Sequence, residues 1–275
     1  MKEFVGLTVR RPAGGEGGLA QLGRILPSGL DERIGVFSAQ LENGDPKLDA
    51  ILEVLKQHGV TPRVNRFRSL DRRREYSIER RRHYSDDDLS SCALLEVGFT
   101  PDHPATPADS TNARGELILE AHPSNDVSYA ISSCFTIVTD EVRRTMEAEG
   151  LAYDAIFRPT EKRARPKLPV WRLRSRRTLP PVSPAMTYTE EDGTQFKGDF
   201  ERRCFRVEGV YLQAELQYRS ADLQAMGQFD LAHTRERFGE CALDEYRPMV
   251  VSARFYQMCQ RHGFKGGFTP VRIDH

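Results

Sequence analysis

The chain has five cysteines but no Cys-x-x-Cys pair, and five is an odd number. That usage argues against a disulfide framework and against a zinc knuckle, and points to reduced thiols. There is no net charge, since Lys+Arg and Asp+Glu stand at 40 each. Neutrality argues against bulk binding to nucleic acid or to an anionic membrane surface. No apolar run approaches the ~20 residues that span a bilayer. The opening MKEFVGLTVRRPAGG also lacks the continuous apolar core of a signal peptide. The expected location is the cytoplasm, with no membrane contact. A GxSxG elbow is missing. Gly14-Gly15-Glu16-Gly17-Gly18 has neither GxGxxG spacing nor a Gly-Lys-Ser/Thr ending, so it reads as a flexible loop. No catalytic residue, metal or cofactor is expected.

What the chain does have is a pattern written twice. TDEVRRTMEAEGLAYDAIFRP runs from Thr139 to Pro159, and SARFYQMCQRHGFKGGFTP runs from Ser252 to Pro270. Val142 aligns with Phe255, Met146 with Cys259 and Gly150 with Gly263, all at a shift of 113. Phe157 and Pro159 align with Phe268 and Pro270 at 111, so the second copy has the shorter turn. Upstream, Gly115 to Leu119 is set against Gly227 to Leu231 at 112.

The chemistry of each copy predicts strand, helix, strand. Thr139 and Ser252 are helix N-caps, because their hydroxyls can accept from an amide of the first turn. Asp140 and Glu141 place negative charge at the positive end of the helix dipole. The apolar pair four residues apart shares one helix face. Gly150 and Gly263 stand where a residue past the helix end must take positive φ.

The rest of the chain yields a coarser reading. Phe4–Val9 and Arg33–Phe37 are predicted strands. Lys47–His58 is an amphipathic helix ended by Gly59, and Val60–Phe67 is a strand. Leu70–Tyr84 is charged and is read as a solvated helix, with Glu75 and Glu79 paired to arginines one turn away. Its arginines Arg72 to Arg74 and Arg80 to Arg82, with Tyr76, His83 and Tyr84, resemble a nucleic-acid patch. The interleaved acids favour the solvated face, so nucleic acid is not the expected partner. Asp86-Asp87-Asp88 lacks the glycine of a calcium loop and reads as an acidic turn or a helix N-terminus. Residues 161–192 hold five prolines, which exclude a central strand. Trp171, the single tryptophan, makes that segment an ordered strap. Val210–Tyr218 alternates as one antiparallel strand.

The predicted fold is α+β. It has two related halves, each a small, mainly antiparallel sheet with a packed helix, joined by the Pro/Arg-rich strap. The domains expected are 1–160, the connector 161–192, and 193–275. Trp171, Arg172 and Arg174 on the strap, with Asp230, His233, Arg235 and Glu236 in FDLAHTRERFGE, are the candidate partner-binding residues. His122 and His233 follow the aligned strands. They leave open an enzyme, or a ligand or metal binder, with its site between the halves.

The run GVYLQAELQYRSADLQAMGQFDLAHTRERFG and then PMVVSARFYQMCQRHGFKGGFTPVRID resembles the C-terminal part of the myxobacterial double-CXXCG-motif paralogues. Related immunity-type proteins of bacterial polymorphic toxin systems share the Val-Ser-x-x-Phe start of a helix and the Phe-x-Pro-Val end. The resemblance covers Leu179 to Asp274. This chain has neither CXXCG, so a zinc role does not carry over. What the resemblance implies is a small cytoplasmic protein without catalysis that binds another protein, such as a toxin encoded nearby.

Overall fold

A computed structural model describes residues 2–10, 15–31, 35–62, 75–98, 108–111, 117–119, 123–130, 135–162, 169–183, 187–189, 195–197, 204–207, 210–213, 215–236 and 247–274. Helices and several antiparallel sheets coexist, as expected of an α+β chain. The chain divides into two compact units that do not follow the expected boundaries at 160 and 193. One unit is Met1–Tyr84 with Thr187–Ala214, and the other is Ser85–Met186 with Glu215–His275.

In the first unit a sheet runs in the order 204–207, 210–213, 75–83, 2–10, 36–42, 30–31. Val5, Leu7 and Val9 alternate inward, as do Phe37, Ala39 and Leu41 on the neighbouring strand. Helices Gly15–Ile25 and Pro46–Gln57 cover them with Leu19, Leu22, Leu48, Ile51 and Leu55. The second of these is the predicted amphipathic helix, capped by Asp45 and followed by Gly59 at φ 65°.

Two expectations fail in this unit. The helix from Gly15 takes in part of what reads as a glycine loop. Glu75–His83 is a strand, its residues Tyr76–His83 paired one for one with Lys2–Val9, and not a solvated helix. Its apolar residues Tyr76 and Ile78 stand two apart, which is strand spacing. Arg72 to Arg74 lie outside the described residues.

The second unit contains both copies of the repeated pattern. Its main elements are β1 (Leu94–Gly98), β2 (Val127–Ala130), β3 (Phe135–Thr139), α1 (Asp140–Ala148), β4 (Ala155–Pro159), β5 (Val170–Ser175), β6 (Leu231–His233), β7 (Met249–Ser252), α2 (Ala253–His262) and β8 (Gly267–Pro270). They form two four-stranded sheets, ordered β4-β5-β3-β2 and β8-β1-β7-β6. The two orders match element for element. In each copy the strands flanking the helix are parallel to one another, with an antiparallel strand between them.

The registers match too. Thr139 faces Val170 and Phe157 faces Leu173 in one sheet. Ser252 faces Leu94 and Phe268 faces Val97 in the other. The middle strand comes from different directions: β5 follows its copy in the chain, whereas β1 precedes its copy by more than a hundred residues. Five prolines in 161–192 therefore do not keep this segment out of a sheet centre. Val170–Ser175 itself contains none, and it bonds on both edges.

The helix ends follow the chemistry of their residues. Thr139 and Ser252 accept from the amides of Val142 and Phe255 at 3.5 and 3.2 Å. Gly150 and Gly263 take φ of 70° and 67°. The amides of Leu151 and Phe264 then bond back to Met146 and Cys259 at 2.8 and 2.9 Å, tucking both apolar side chains in.

The upstream strand is misassigned by sequence. The edge position belongs to Asn125-Asp126-Val127-Ser128-Tyr129, which corresponds to Phe229-Asp230-Leu231-Ala232-His233. Thr139 and Ser252 donate their amides to the carbonyls of Asp126 and Asp230 at 2.9 and 3.0 Å, fixing that equivalence. Leu117–Leu119 instead joins a separate three-stranded sheet. Val210–Tyr218 is broken as well: Val210–Gln213 belongs to the first unit and Gln217–Arg219 to the second.

The outer faces of the two sheets are covered differently. Leu119 closes over Ala130, Phe135, Ile137 and Val170. Leu179, Val182, Leu216, Tyr218 and Val271 close over Leu94, Ala232 and Val250.

Candidate functional site

Of the seven residues expected to bind a partner, Arg172 and Asp230 are buried. Trp171 lies against α1. Its indole Nε1 donates to Asp140 Oδ1 at 2.9 Å, and the Arg143 guanidinium stacks 4.8 Å from its ring. Asp140 also pairs with Arg143 at 3.0 Å and Arg144 at 2.8 Å. Desolvation opposes its charge, but bonds from Arg143 and Trp171 and the nearby guanidinium charges prevail, holding the carboxyl below its ordinary value. The cluster pins the middle strand to the helix.

Arg172 points to the opposite face and is buried, its guanidinium carbon 3.2 Å from the centre of the Phe135 ring. Its register equivalent in the other sheet is Glu96, also buried. Neither is placed to meet a macromolecule, because both lie inside.

Asp230 is buried too. It accepts from Ser252 Oγ at 2.7 Å and pairs with Arg254 at 3.2 Å. His233 Nδ1 lies 3.2 Å from the carbonyl of Arg247, so Nδ1 carries the hydrogen and Nε2 is the bare nitrogen. Burial comes first, and the charges of Arg174 and Arg247 add to it, in bringing the imidazole down to about 4. His233 is therefore neutral at physiological pH. Its Nε2 is buried with no hydrogen-bond partner among the described residues. Glu236 Oε1 accepts from the Val182 amide at 3.1 Å and so ties down the strap. Arg235 is exposed.

His122 lies outside the described residues. The register position equivalent to His233 belongs to Tyr129, so the two histidines are not counterparts. Among the described residues no group of His, Cys, Asp and Glu could hold a metal. Asp86, Asp87 and Asp88 begin a short helix, where Ser85 and Asp88 cap each other and Asp86 accepts from Tyr256 at 3.0 Å. Burial pushes the Cys259 thiol up, away from reactivity. No helix among the described residues is long and apolar enough to cross a membrane.

The structure instead brings together residues that the sequence reading passed over. Tyr153 is exposed at 46%, and among the described residues it is the large hydrophobic side chain that stands out. Its hydroxyl lies 3.5 Å from the carbonyl of Gln228, beside Asp230. Next to it, Arg177 Nε pairs with Asp154 at 3.0 Å, and Arg177 Nη1 donates to the Met226 carbonyl at 3.2 Å. Arg254 reaches Asp230 through Nη1 and the Glu149 carbonyl, at 2.6 Å, through Nη2. The Arg176 amide bonds to the carbonyl of Asp154 at 2.9 Å. A clue to this surface was present in the repeat. Between Leu151 and Ile156 the first copy has two residues more than the second has between Phe264 and Gly267. Tyr153 and Asp154 sit in that longer turn.

Compared with family models, with curated proteins and with solved structures, the chain matches none.

Proposed function

We propose that this chain is a non-enzymatic binding protein whose partner is another protein, of the immunity or antitoxin kind implied by the resemblance of its C-terminal third. The observation that carries the reading is Tyr153, exposed on a turn and flanked by Arg177 and Arg254. Tyrosine and arginine are over-represented where protein interfaces concentrate their energy. A tyrosine brings a large contact area with few torsions to freeze. Two arginines already held by carboxylates and carbonyls lose little further entropy on binding. The expected setting is the cytoplasm, and the expected partner is a toxin encoded beside this gene.

The test is co-expression with the product of each adjacent gene, followed by titration calorimetry of the purified pair. A 1:1 complex with an affinity of about 1 μM or better is expected, together with loss of the partner's toxicity in cells. If no adjacent product binds or is neutralised, the reading fails.

A further inference from the structure

We infer that the turn carrying Tyr153, with Arg176, Arg177 and Arg254 beside it, docks an acidic segment of a protein partner. The inference rests on the protein-binding reading above and specifies its surface and the partner's chemistry.

The argument starts from which groups face outward. The side chains of Asp154 and Asp230 are only 11% and 2% exposed, whereas those of Arg177 and Arg254 are 36% and 48% exposed. Each carboxylate lies beneath its guanidinium. A partner approaching Tyr153 therefore meets cations, with the compensating charge set behind them.

The arginines also have hydrogen-bonding capacity left. A guanidinium carries five N–H donors, and the contacts above engage two nitrogens of each. Arg176 is exposed and makes no ion pair among the described residues. The local sequence has the same bias: Arg174, Arg176 and Arg177 lie within four residues with no acid among them. Carboxylates are the protein groups that match paired, pre-held guanidiniums. Tyr153 adds an apolar platform, which suits a segment that interleaves Glu or Asp with an aromatic or aliphatic residue.

The decoy chemistry is nucleic acid, which arginine and tyrosine also bind. Two features favour the acidic protein segment. The chain is neutral overall, so it lacks the broad positive field that draws a polyanion. Among the described residues, Arg177 and Arg254 also gather around one turn, each tied to a particular carboxylate.

The experiment uses the full chain and three fluorescein-labelled probes in an anisotropy titration at low salt. One probe is a peptide repeating Glu-Asp-Phe-Glu, the second its Gln-Asn-Phe-Gln counterpart, and the third a single-stranded oligonucleotide of similar length. The acidic peptide is expected to bind and the amide peptide not. Tyr153→Ala and Arg176→Glu are each expected to weaken the acidic peptide about tenfold or more. Lys56→Glu, on an exposed helix position of the other unit, should leave it unchanged. The inference is overturned if the amide peptide binds as well, if Lys56→Glu costs as much as Arg176→Glu, or if the oligonucleotide binds more tightly than the acidic peptide. Should a neighbouring gene's product bind Tyr153→Ala and Arg176→Glu at wild-type affinity, this surface is wrong while the protein-binding reading stands. Should no product bind while the peptide series behaves as expected, the surface stands and the immunity reading falls.

Discussion

The two sheet-and-helix copies of the second unit share strand order, register, caps and left-handed glycines, yet differ in what they bury and what they expose. Helix α1 buries Val142 and Met146, while α2 buries Phe255, Tyr256, Met258 and Cys259. On the exposed side, α1 carries a ladder of ion pairs from Arg143 and Arg144 to Asp140 and Glu147. The buried charge on the middle strand is reversed, Arg172 in one sheet and Glu96 in the other. The turn after the helix is two residues longer in the first copy and projects Tyr153. The framework is shared because backbone hydrogen bonds and caps depend on few residues. The difference lies where side chains meet either core or solvent, and that is where specificity can be built.

The largest expected contrast is in the cores. Phe255→Ala should cost about 3–5 kcal/mol, and its counterpart Val142→Ala roughly 2 kcal/mol. Urea unfolding followed by the fluorescence of Trp171 measures both. Equal costs would mean that the helices are buried alike, against the structure. Next come the glycines past the helices. Gly150→Ala and Gly263→Ala should each cost about 1–2 kcal/mol, since both stand at positive φ. Neither new methyl would meet anything closer than Arg254 Nη2, at 3.9 Å from position 150. A difference above ~1 kcal/mol between the two would break the equivalence of the turns.

The caps should then separate the copies modestly. Thr139→Ala is expected to cost about 1 kcal/mol. Ser252→Ala should cost more, because its hydroxyl also donates to buried Asp230, whose acceptor would be left open.

The smallest contrast is electrostatic and sits at the edge strand. His233 is held at about 4 when folded, against 6.5 ordinarily. The unfolded chain therefore takes up a proton that the native state refuses, and stability present above pH 6.5 is lost as pH falls toward 4. Near pH 6 the loss is about 1 kcal/mol or less. Urea midpoints from pH 7 to pH 6 should drop less steeply in His233→Gln than in the parent. Parallel profiles would place the protonation elsewhere.

Much of the repeated motif is legible in the sequence, because its signals are local. A hydroxyl before a helix, apolar residues four apart and a glycine beyond the end each act within one or two turns. The upstream strand was not legible. Leu117-Ile118-Leu119 has a better apolar pattern than Val127-Ser128-Tyr129, and it is the ladder to Phe135–Val138, with hydrogen bonds from Thr139 to Asp126 and from Val127 to Lys265, that selects the latter. Val170–Ser175 was hidden by the prolines around it. Glu75–His83 was hidden by charges compatible with either period. Of the expected binding residues, Arg172 and Asp230 turned out to be buried, since residue type alone does not say which face of a strand is covered.

Local chemistry by itself determined the two repeated helices and Pro46–Gln57, their caps and their ends, because those interactions span few residues and need no partner from afar. Only the tertiary structure decided which strands lie between which, that both copies belong to one unit, and that Asp154 and Asp230 sit beneath Arg177 and Arg254 beside Tyr153. Those outcomes depend on residues up to more than a hundred positions apart competing for the same sheet edges and the same core. That competition is resolved by packing and burial, which the order of residues along the chain does not display.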